Sequence, residues 1–215
     1  MRRRRFVTMT FGGLILGLGP VAFGAPAVAQ APVPAAGDFV NDLSMRAIRM
    51  LTGSDLNEDM RADRFRTLLR EAFDVPAIGR FTLGRYWRVA TEAERGEYLK
   101  LFEDYLVQNY AGKFKDYTGE NLRVLQTRAT PENEVMVASQ YIRNSGGPIQ
   151  VSWRLRREGS SFKIIDVIVE GVSMAITQRD DYSAAIQRSG GKVEFLLVAL
   201  REKTSVAAAT PVAAQ

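Results

Sequence analysis

Residues 148–169, PIQVSWRLRREGSSFKIIDVIV, predict two adjacent strands and a turn between them. Apolar and polar residues alternate along the first half, which predicts a strand with one apolar face formed by Ile149, Val151, Trp153 and Leu155. The residues Glu-Gly-Ser at 158–160 are typical of a turn, so the two halves are expected to form an antiparallel hairpin. The second half is apolar on both faces over residues 164–169 and predicts a central strand.

The spacing of apolar residues predicts further strands next to this hairpin and helices farther along the chain on both sides. Strands are predicted at 123–127, 134–143, 148–157 and 162–170, with a turn at 144–147. Helices are predicted from Asp38 to residue 51, at 57–73, 76–84, 91–112, 173–188 and 192–203. These elements predict an α+β fold, in which a twisted antiparallel-type sheet of about four to five strands is packed by helices from both ends of the chain and encloses an apolar pocket.

The start of the chain has the pattern of an export signal. Four arginines at 2–5 precede an uncharged run to Gln30, and the small residues Ala27-Val28-Ala29 form a cleavage motif. An uncleaved membrane anchor is the alternative, and the arginines also match the twin-arginine pattern, so either the Sec or the twin-arginine route is open. The predicted organisation is a signal peptide at 1–29, a linker at 30–37, one domain at 38–203 and a disordered Ala-rich tail at 204–215.

Removal of the predicted signal peptide lowers the net charge of the chain. The full sequence has 29 basic and 24 acidic residues, a net charge of +5. Loss of residues 1–29 removes four arginines and no acid, which leaves a net charge of about +1. A nucleic-acid partner is therefore not expected.

The chain lacks both cysteine and histidine, which excludes disulfides, thiolate nucleophiles, imidazole acid–base catalysis and the usual zinc sites. Asp166 is the unusual acid, because a carboxylate in a central strand needs a partner. We expect it to pair with Arg85 or Arg88, and the alternative is that it lies at a solvated edge of the sheet.

Several blocks of the sequence resemble one family. The run FDVPAIGRFTLGRYWRVAT at 73–91 is similar to a hallmark of MlaC-type proteins, the periplasmic phospholipid-binding components of the Mla transport system, also called the toluene-tolerance auxiliary family. Further matches are YLVQNYA at 105–111, VSWRLR at 151–156, DVIVEGVS at 166–173 and QRDDY at 178–182. The resemblance covers essentially all of 38–203 in order.

The resemblance implies a non-enzymatic periplasmic carrier with no cofactor other than its phospholipid cargo. It implies partners at both membranes: an outer-membrane lipoprotein–porin complex and an inner-membrane ABC transporter that bears an MCE domain. Such a carrier would shuttle lipid between them and serve the lipid asymmetry of the outer membrane.

The apolar residues of the aromatic-rich helices and of the strand faces are the candidates for lining a lipid pocket. They are Phe81, Leu83, Tyr86, Trp87, Tyr105, Leu106, Tyr110, Val135, Val137, Tyr141, Val151, Trp153, Val167, Val169 and Val172. Three alternatives stay open: a relative that carries a hopanoid or another apolar lipid, an enzyme that uses Asp166 as a general base in an apolar pocket, and an adaptor with a filled core.

Overall fold

A computed structural model describes residues 33–209, with side chains to Ser205. The predicted signal peptide lies outside the described residues, as do the start of the linker and the end of the tail. The helices in the described part are α1 (Val33–Leu51), α2 (Glu58–Ala72), α3 (Val75–Leu83), α4 (Tyr86–Val89), α5 (Glu92–Tyr110), α6 (Met174–Arg188) and α7 (Val193–Ala209), with a 3₁₀ segment at Ala111–Asp116. None of these helices is long and apolar enough to cross a bilayer.

The strands form one antiparallel meander in the described residues. They are β1 (Asn121–Thr130), β2 (Glu134–Ile142), β3 (Ile149–Glu158), β4 (Ser161–Val169) and β5 (Val172–Ser173), and the sheet order follows the chain order. Bulges interrupt the register between Val124 and Gln126 in β1 and between β3 and β4 beside Ile164. The predicted α+β class, with an antiparallel sheet packed by helices, is confirmed.

Two apolar clusters stabilise the fold. One lies among α2, α3, α5, α6 and α7, and the other lies between the sheet and helices α1 and α2. Phe73 packs against both clusters, and a backbone bridge joins it to Ile164 of β4. The Asp74 amide donates to the Ile164 carbonyl at 3.0 Å, so the segment between α2 and α3 attaches the helical layer to the sheet.

The start of α5 follows the sequence prediction closely. Thr91 caps the helix by accepting from the Glu94 amide, and the Glu94 carboxylate accepts from the Thr91 amide at 2.7 Å. This reciprocal arrangement is a capping box, which satisfies two backbone donors that the first turn would otherwise leave unpaired.

The ends of the domain differ from the prediction. Helix α1 begins at Val33, inside the segment expected to be a linker, and Asp38 lies within the helix rather than at its cap. Ala36 is fully buried in the sheet cluster, and a side chain on Gly37 would come within 3.1 Å of Thr127 Cγ2, so small residues let α1 approach β1 closely. At the other end, α7 continues to Ala209, into the predicted tail.

Candidate functional site

One face of the sheet is closed at one end and open at the other. At the closed end, Val135, Val137, Leu155 and Ile164 have no exposed surface, because α1 and α2 cover them. Toward the other end of the same face, the apolar side chains stay partly exposed, with Ser139 buried among them. We call this second region the open face; it consists of Leu122, Val124, Ser139, Tyr141, Ile149, Val151 and Val169.

Strand register places these residues on one surface. Val124 is opposite Ser139, Ser139 is opposite Val151, and Val151 is opposite Val169. A second row is formed where Tyr141 lies opposite Leu122 on one side and Ile149 on the other. Directly opposite residues in an antiparallel sheet share a face, so the two rows form a continuous and largely apolar patch.

The hydroxyl within the open face is satisfied by its neighbours. Ser139 Oγ donates to the Val151 carbonyl at 2.7 Å and accepts from Trp153 Nε1 at 3.0 Å. Ser139 itself is 1% exposed. Because both hydrogen-bonding roles are used within the sheet, the open face presents an apolar surface despite this serine.

A cavity of about 620 Å³ lies between α1 and β1 and reaches the open face. Its volume falls within the range of about 300–1,000 Å³ that is usual for ligand pockets. The residues that line it are Pro34, Gly37, Asp38, Asn41, Ile142 and residues 121–127. Leu122 and Val124 belong to both the cavity and the open face, so the two form one continuous candidate site.

The sequence did not indicate this cavity, and none of the candidate pocket residues lines it. The strand predicted at 123–127 omitted Asn121 and Leu122, which lie in the cavity wall. The helix that forms the other wall was predicted to begin at Asp38, after Pro34 and Gly37. The bulge after Val124 could not be predicted from alternation.

A second cavity, of about 430 Å³, is lined by both charged and apolar residues. Its wall includes Arg66, Arg70, Glu103 and Asp104. Arg66 bonds Glu103 at 2.7 Å and Asp104 at 2.8 Å, and Arg70 also pairs with Glu103. Burial alone would raise the pKa of Glu103, but hydrogen bonds from Arg70 and Arg66 outweigh it and lower that pKa. This network ties α2 to α5 and places charged groups beside the apolar wall residues Val75, Pro76 and Leu99.

The predicted pocket residues divide into four groups. Leu83 and Tyr86 are buried in the helix cluster, with Trp87, Tyr105 and Leu106 packed against it. Val135 and Val137 are buried in the sheet cluster, with Trp153 and Val167 packed against it. Tyr141, Val151 and Val169 lie on the open face. Phe81, Tyr110 and Val172 are exposed at the surface.

Three aromatic rings pack against one another within the helix cluster. The rings of Tyr98 and Phe102 stack with centroids 5.8 Å apart, and Tyr182 meets both rings edge-on. Burial raises the pKa of the Tyr98 and Tyr182 hydroxyls, so both stay neutral well above their usual range. The structure therefore brings Tyr141, Val151 and Val169, and not the buried candidates, to a partly exposed surface of the sheet.

Asp166 is buried and has partners that the sequence did not indicate. One carboxylate oxygen accepts from Ser173 Oγ at 2.5 Å, and the other accepts from the Ala175 amide at 3.0 Å. Asp166 is 7% exposed and lies opposite Arg154 in the register of β3 and β4. It thus anchors the first turn of α6 to the sheet, on the face opposite the open face.

The hypothesis that Asp166 pairs with Arg85 or Arg88 is corrected by this geometry. Arg85 donates instead to the Tyr86 hydroxyl at 3.1 Å, and the Arg88 side chain is exposed. Among the ion pairs of residues 33–209, none joins Asp166 to either arginine. A hydroxyl and a helix-terminal amide supply the hydrogen bonds that the buried carboxylate requires. In the same part of the chain, no group of three or more acidic residues is arranged to hold a metal ion.

Comparison with known proteins identifies the family. The family model described as MlaC protein matches residues 41–202, well over half of the chain. The chain belongs to the MlaC family. The toluene tolerance protein ttg2D of Pseudomonas putida is 24% identical over 133 residues, and the match spans 61% of this chain and 62% of that relative.

A solved structure shares the fold of this MlaC-family chain. It is the phospholipid-binding protein from Ralstonia solanacearum, determined in complex with a phospholipid. The TM-score is 0.69, the sequence identity is 21%, and the match covers 80% of this chain and 98% of that one. The shared architecture supports the α+β assignment made from the order of the predicted helices and strands.

Proposed function

We propose that this protein is a phospholipid carrier that holds acyl chains against the open face and the adjoining cavity. The observation that carries the proposal is the change in burial along a single apolar sheet face. Val135 and Val137 are fully covered, whereas Tyr141, on the same face of the same strand, stays partly exposed. An apolar surface that the protein leaves partly uncovered between its layers is suited to an apolar ligand.

The energetics of lipid transfer explain why a carrier needs such a surface. Two acyl chains of about fifteen methylenes each, at roughly 0.8 kcal/mol per methylene, oppose transfer into water by about 24 kcal/mol. A carrier must replace the apolar surroundings of the bilayer with its own. Valine, leucine and tyrosine side chains on the open face provide an apolar environment without the desolvation cost of a charged group.

The physiological setting of the proposal rests on membership of the MlaC family. We place the protein in the periplasm, where it accepts lipid from one membrane and delivers it to the other. The proposed partners are an outer-membrane lipoprotein–porin complex and an inner-membrane ABC transporter with an MCE domain. No catalytic role is proposed, because both carboxylate oxygens of Asp166 are used in holding α6.

Native mass spectrometry of the protein purified from a lipid-rich host tests the proposal. We expect a population whose added mass corresponds to one or more diacyl phospholipids, released as such on denaturation. A hopanoid mass would assign a different cargo to the same site. A chain that is empty after purification and takes up no lipid from phospholipid vesicles would contradict the carrier function.

A further inference from the structure

One row of side chains on the open face ends on an exposed residue at the edge of the sheet. From β1 to β4 the row consists of Val124, Ser139, Val151 and Val169. The next residue is Val172, which lies opposite Val169 in β5, the last strand in the sheet order. Because directly opposite residues share a face, Val172 extends the largely apolar row to the sheet edge.

The turn that leads to Val172 is attached to the start of β3. Glu170 and Gly171 have φ +49° and +81°, and two successive positive values are typical of a tight two-residue hairpin turn. The Glu170 amide donates to the Gln150 carbonyl at 2.9 Å, and the Gln150 amide donates to Glu170 Oε1 at 2.5 Å. These two hydrogen bonds hold the edge of the sheet beside the open face and engage the Glu170 carboxylate.

Three exposed apolar side chains follow this turn. Val172, Met174 and Ile176 are 56%, 39% and 53% exposed, and we call them the apolar rim. Four residues of extended chain span at most about 14 Å, so the backbone positions of the rim lie within that distance of one another. The rim is therefore one compact surface at the sheet edge rather than three scattered side chains.

Asp166 holds the residues between those of the apolar rim. Its carboxylate accepts from Ser173 Oγ at 2.5 Å and from the Ala175 amide at 3.0 Å. Ala175 is buried, whereas its neighbours in the chain, Met174 and Ile176, are exposed. The rim cannot withdraw into the protein without breaking these hydrogen bonds, so its exposure is built into the fold.

The composition around the apolar rim indicates what covers it. Residues 171–178, GVSMAITQ, contain no charged side chain. Arg179 follows them, but its guanidinium carbon lies 5.2 Å from the centroid of the Phe81 ring and is directed toward α3. An uncharged apolar surface favours the apolar part of a lipid layer over the charged surface of a protein.

We infer that the apolar rim contacts the surface of a phospholipid bilayer, and that an acyl chain passes between the bilayer and the open face across Val172. This inference rests on the proposed carrier function and adds the surface through which the lipid enters. An acyl chain that leaves the bilayer at the rim meets Val169 and Val151 next, so its path to the open face stays apolar.

Uptake of lipid from vesicles by lipid-free protein tests the inference. The donor vesicles consist of phosphatidylcholine with a trace of pyrene-labelled phosphatidylcholine, and the initial rate of uptake is measured. We expect Met174→Gln/Ile176→Ser, the rim variant, to take up lipid at least fivefold more slowly than the wild type. The amount of lipid that it loads from detergent micelles should be unchanged, because micelles supply lipid without a bilayer. The wild-type rate should be the same at low and high salt, since the rim is uncharged.

Phe195→Gln/Val198→Ser is the matched control. These two side chains lie on α7, which packs against α5 and α6, and they are 51% and 39% exposed. The control removes a similar apolar surface and is expected to take up lipid at the wild-type rate. The inference is overturned if the rim variant matches the wild type, if the control is slowed as much as the rim variant, or if the rim variant also fails to load from micelles.

Two further measurements separate the remaining explanations. A wild-type dimer in sedimentation velocity that the rim variant lacks, together with equal uptake rates, would assign the rim to a second copy of the chain and overturn the inference. If the wild type acquires no lipid from micelles or vesicles, the carrier function fails, and flotation with phosphatidylcholine vesicles decides the rim alone. Recovery of the wild type and the control with the vesicles, but not of the rim variant, would support the bilayer contact, and any other pattern would overturn it.

Discussion

Replacement of Val151 by aspartate is expected to reduce the phospholipid retained through purification at least tenfold. Val151 lies at the centre of the open face, opposite Ser139 on one side and Val169 on the other. A carboxylate at this position would be desolvated by bound acyl chains without an ionic partner, which costs several kcal/mol. Since each 1.4 kcal/mol changes an equilibrium constant tenfold, retention is expected to fall below a tenth of the wild-type level. Phosphorus analysis of the purified variant gives the measurement.

Ser152→Asp is the matched control for this variant. Ser152 is the next residue of β3, and its side chain lies on the opposite face of the sheet, between Ala138 and Ile168. The Ser152→Asp variant introduces the same charge into the same strand as Val151→Asp does. A general loss of sheet stability would therefore affect both variants. If Val151→Asp retained lipid as well as Ser152→Asp did, the acyl chains would not lie against the open face.

Replacement of Asp166 by alanine is expected to lower the free energy of unfolding by about 3 kcal/mol. The change leaves Ser173 Oγ and the Ala175 amide without their acceptor, and it removes the carboxylate that lies opposite Arg154. Unsatisfied buried donors cost about 1–3 kcal/mol, and breaking a buried charged interaction costs more. Chemical denaturation measures this difference directly, provided that the dependence of the unfolding free energy on denaturant concentration is the same in both proteins.

The conservative variant Asp166→Asn separates the hydrogen bonds from the charge. Its amide oxygen still accepts from one of the two donors, so the expected loss is about 1 kcal/mol. Lipid retention should be unchanged in this variant, because Asp166 lies on the face opposite Val151. A loss below 1 kcal/mol in Asp166→Ala would instead mean that this carboxylate is solvated.

The sheet could be predicted from sequence because its signals are local. The alternation of apolar and polar residues in β3 predicted which side chains share a face. Gly159 indicated the turn into β4, and in the structure this glycine has φ +57°. The Thr91–Glu94 capping box likewise depends on residues three apart in the chain. These features do not require knowledge of distant contacts.

The rest of the candidate site depends on contacts that the sequence does not encode locally. Residues 33–37 have the composition of a linker, yet Ala36 becomes fully buried because α1 packs on the sheet. Candidates such as Leu83 and Val151 are both apolar, and only tertiary packing buries one and leaves the other partly exposed. The partners of Asp166 are Ser173 at the end of β5 and Ala175 in the first turn of α6, and not the arginines of the segment at 80–88, because β5 pairs with β4 and brings Ser173 beside it.

Photo-crosslinking from a lipid acyl chain identifies the residues that contact the bound chain. A phospholipid that carries a diazirine midway along one chain is loaded into the protein, irradiated, and located at single-residue resolution by mass spectrometry. We expect labels on the open face, at Tyr141, Val151 and Val169 and on the Leu122 side of the cavity. Labels confined to the opposite face of the sheet or to the outer surfaces of the helices, with the open face unlabelled, would contradict it.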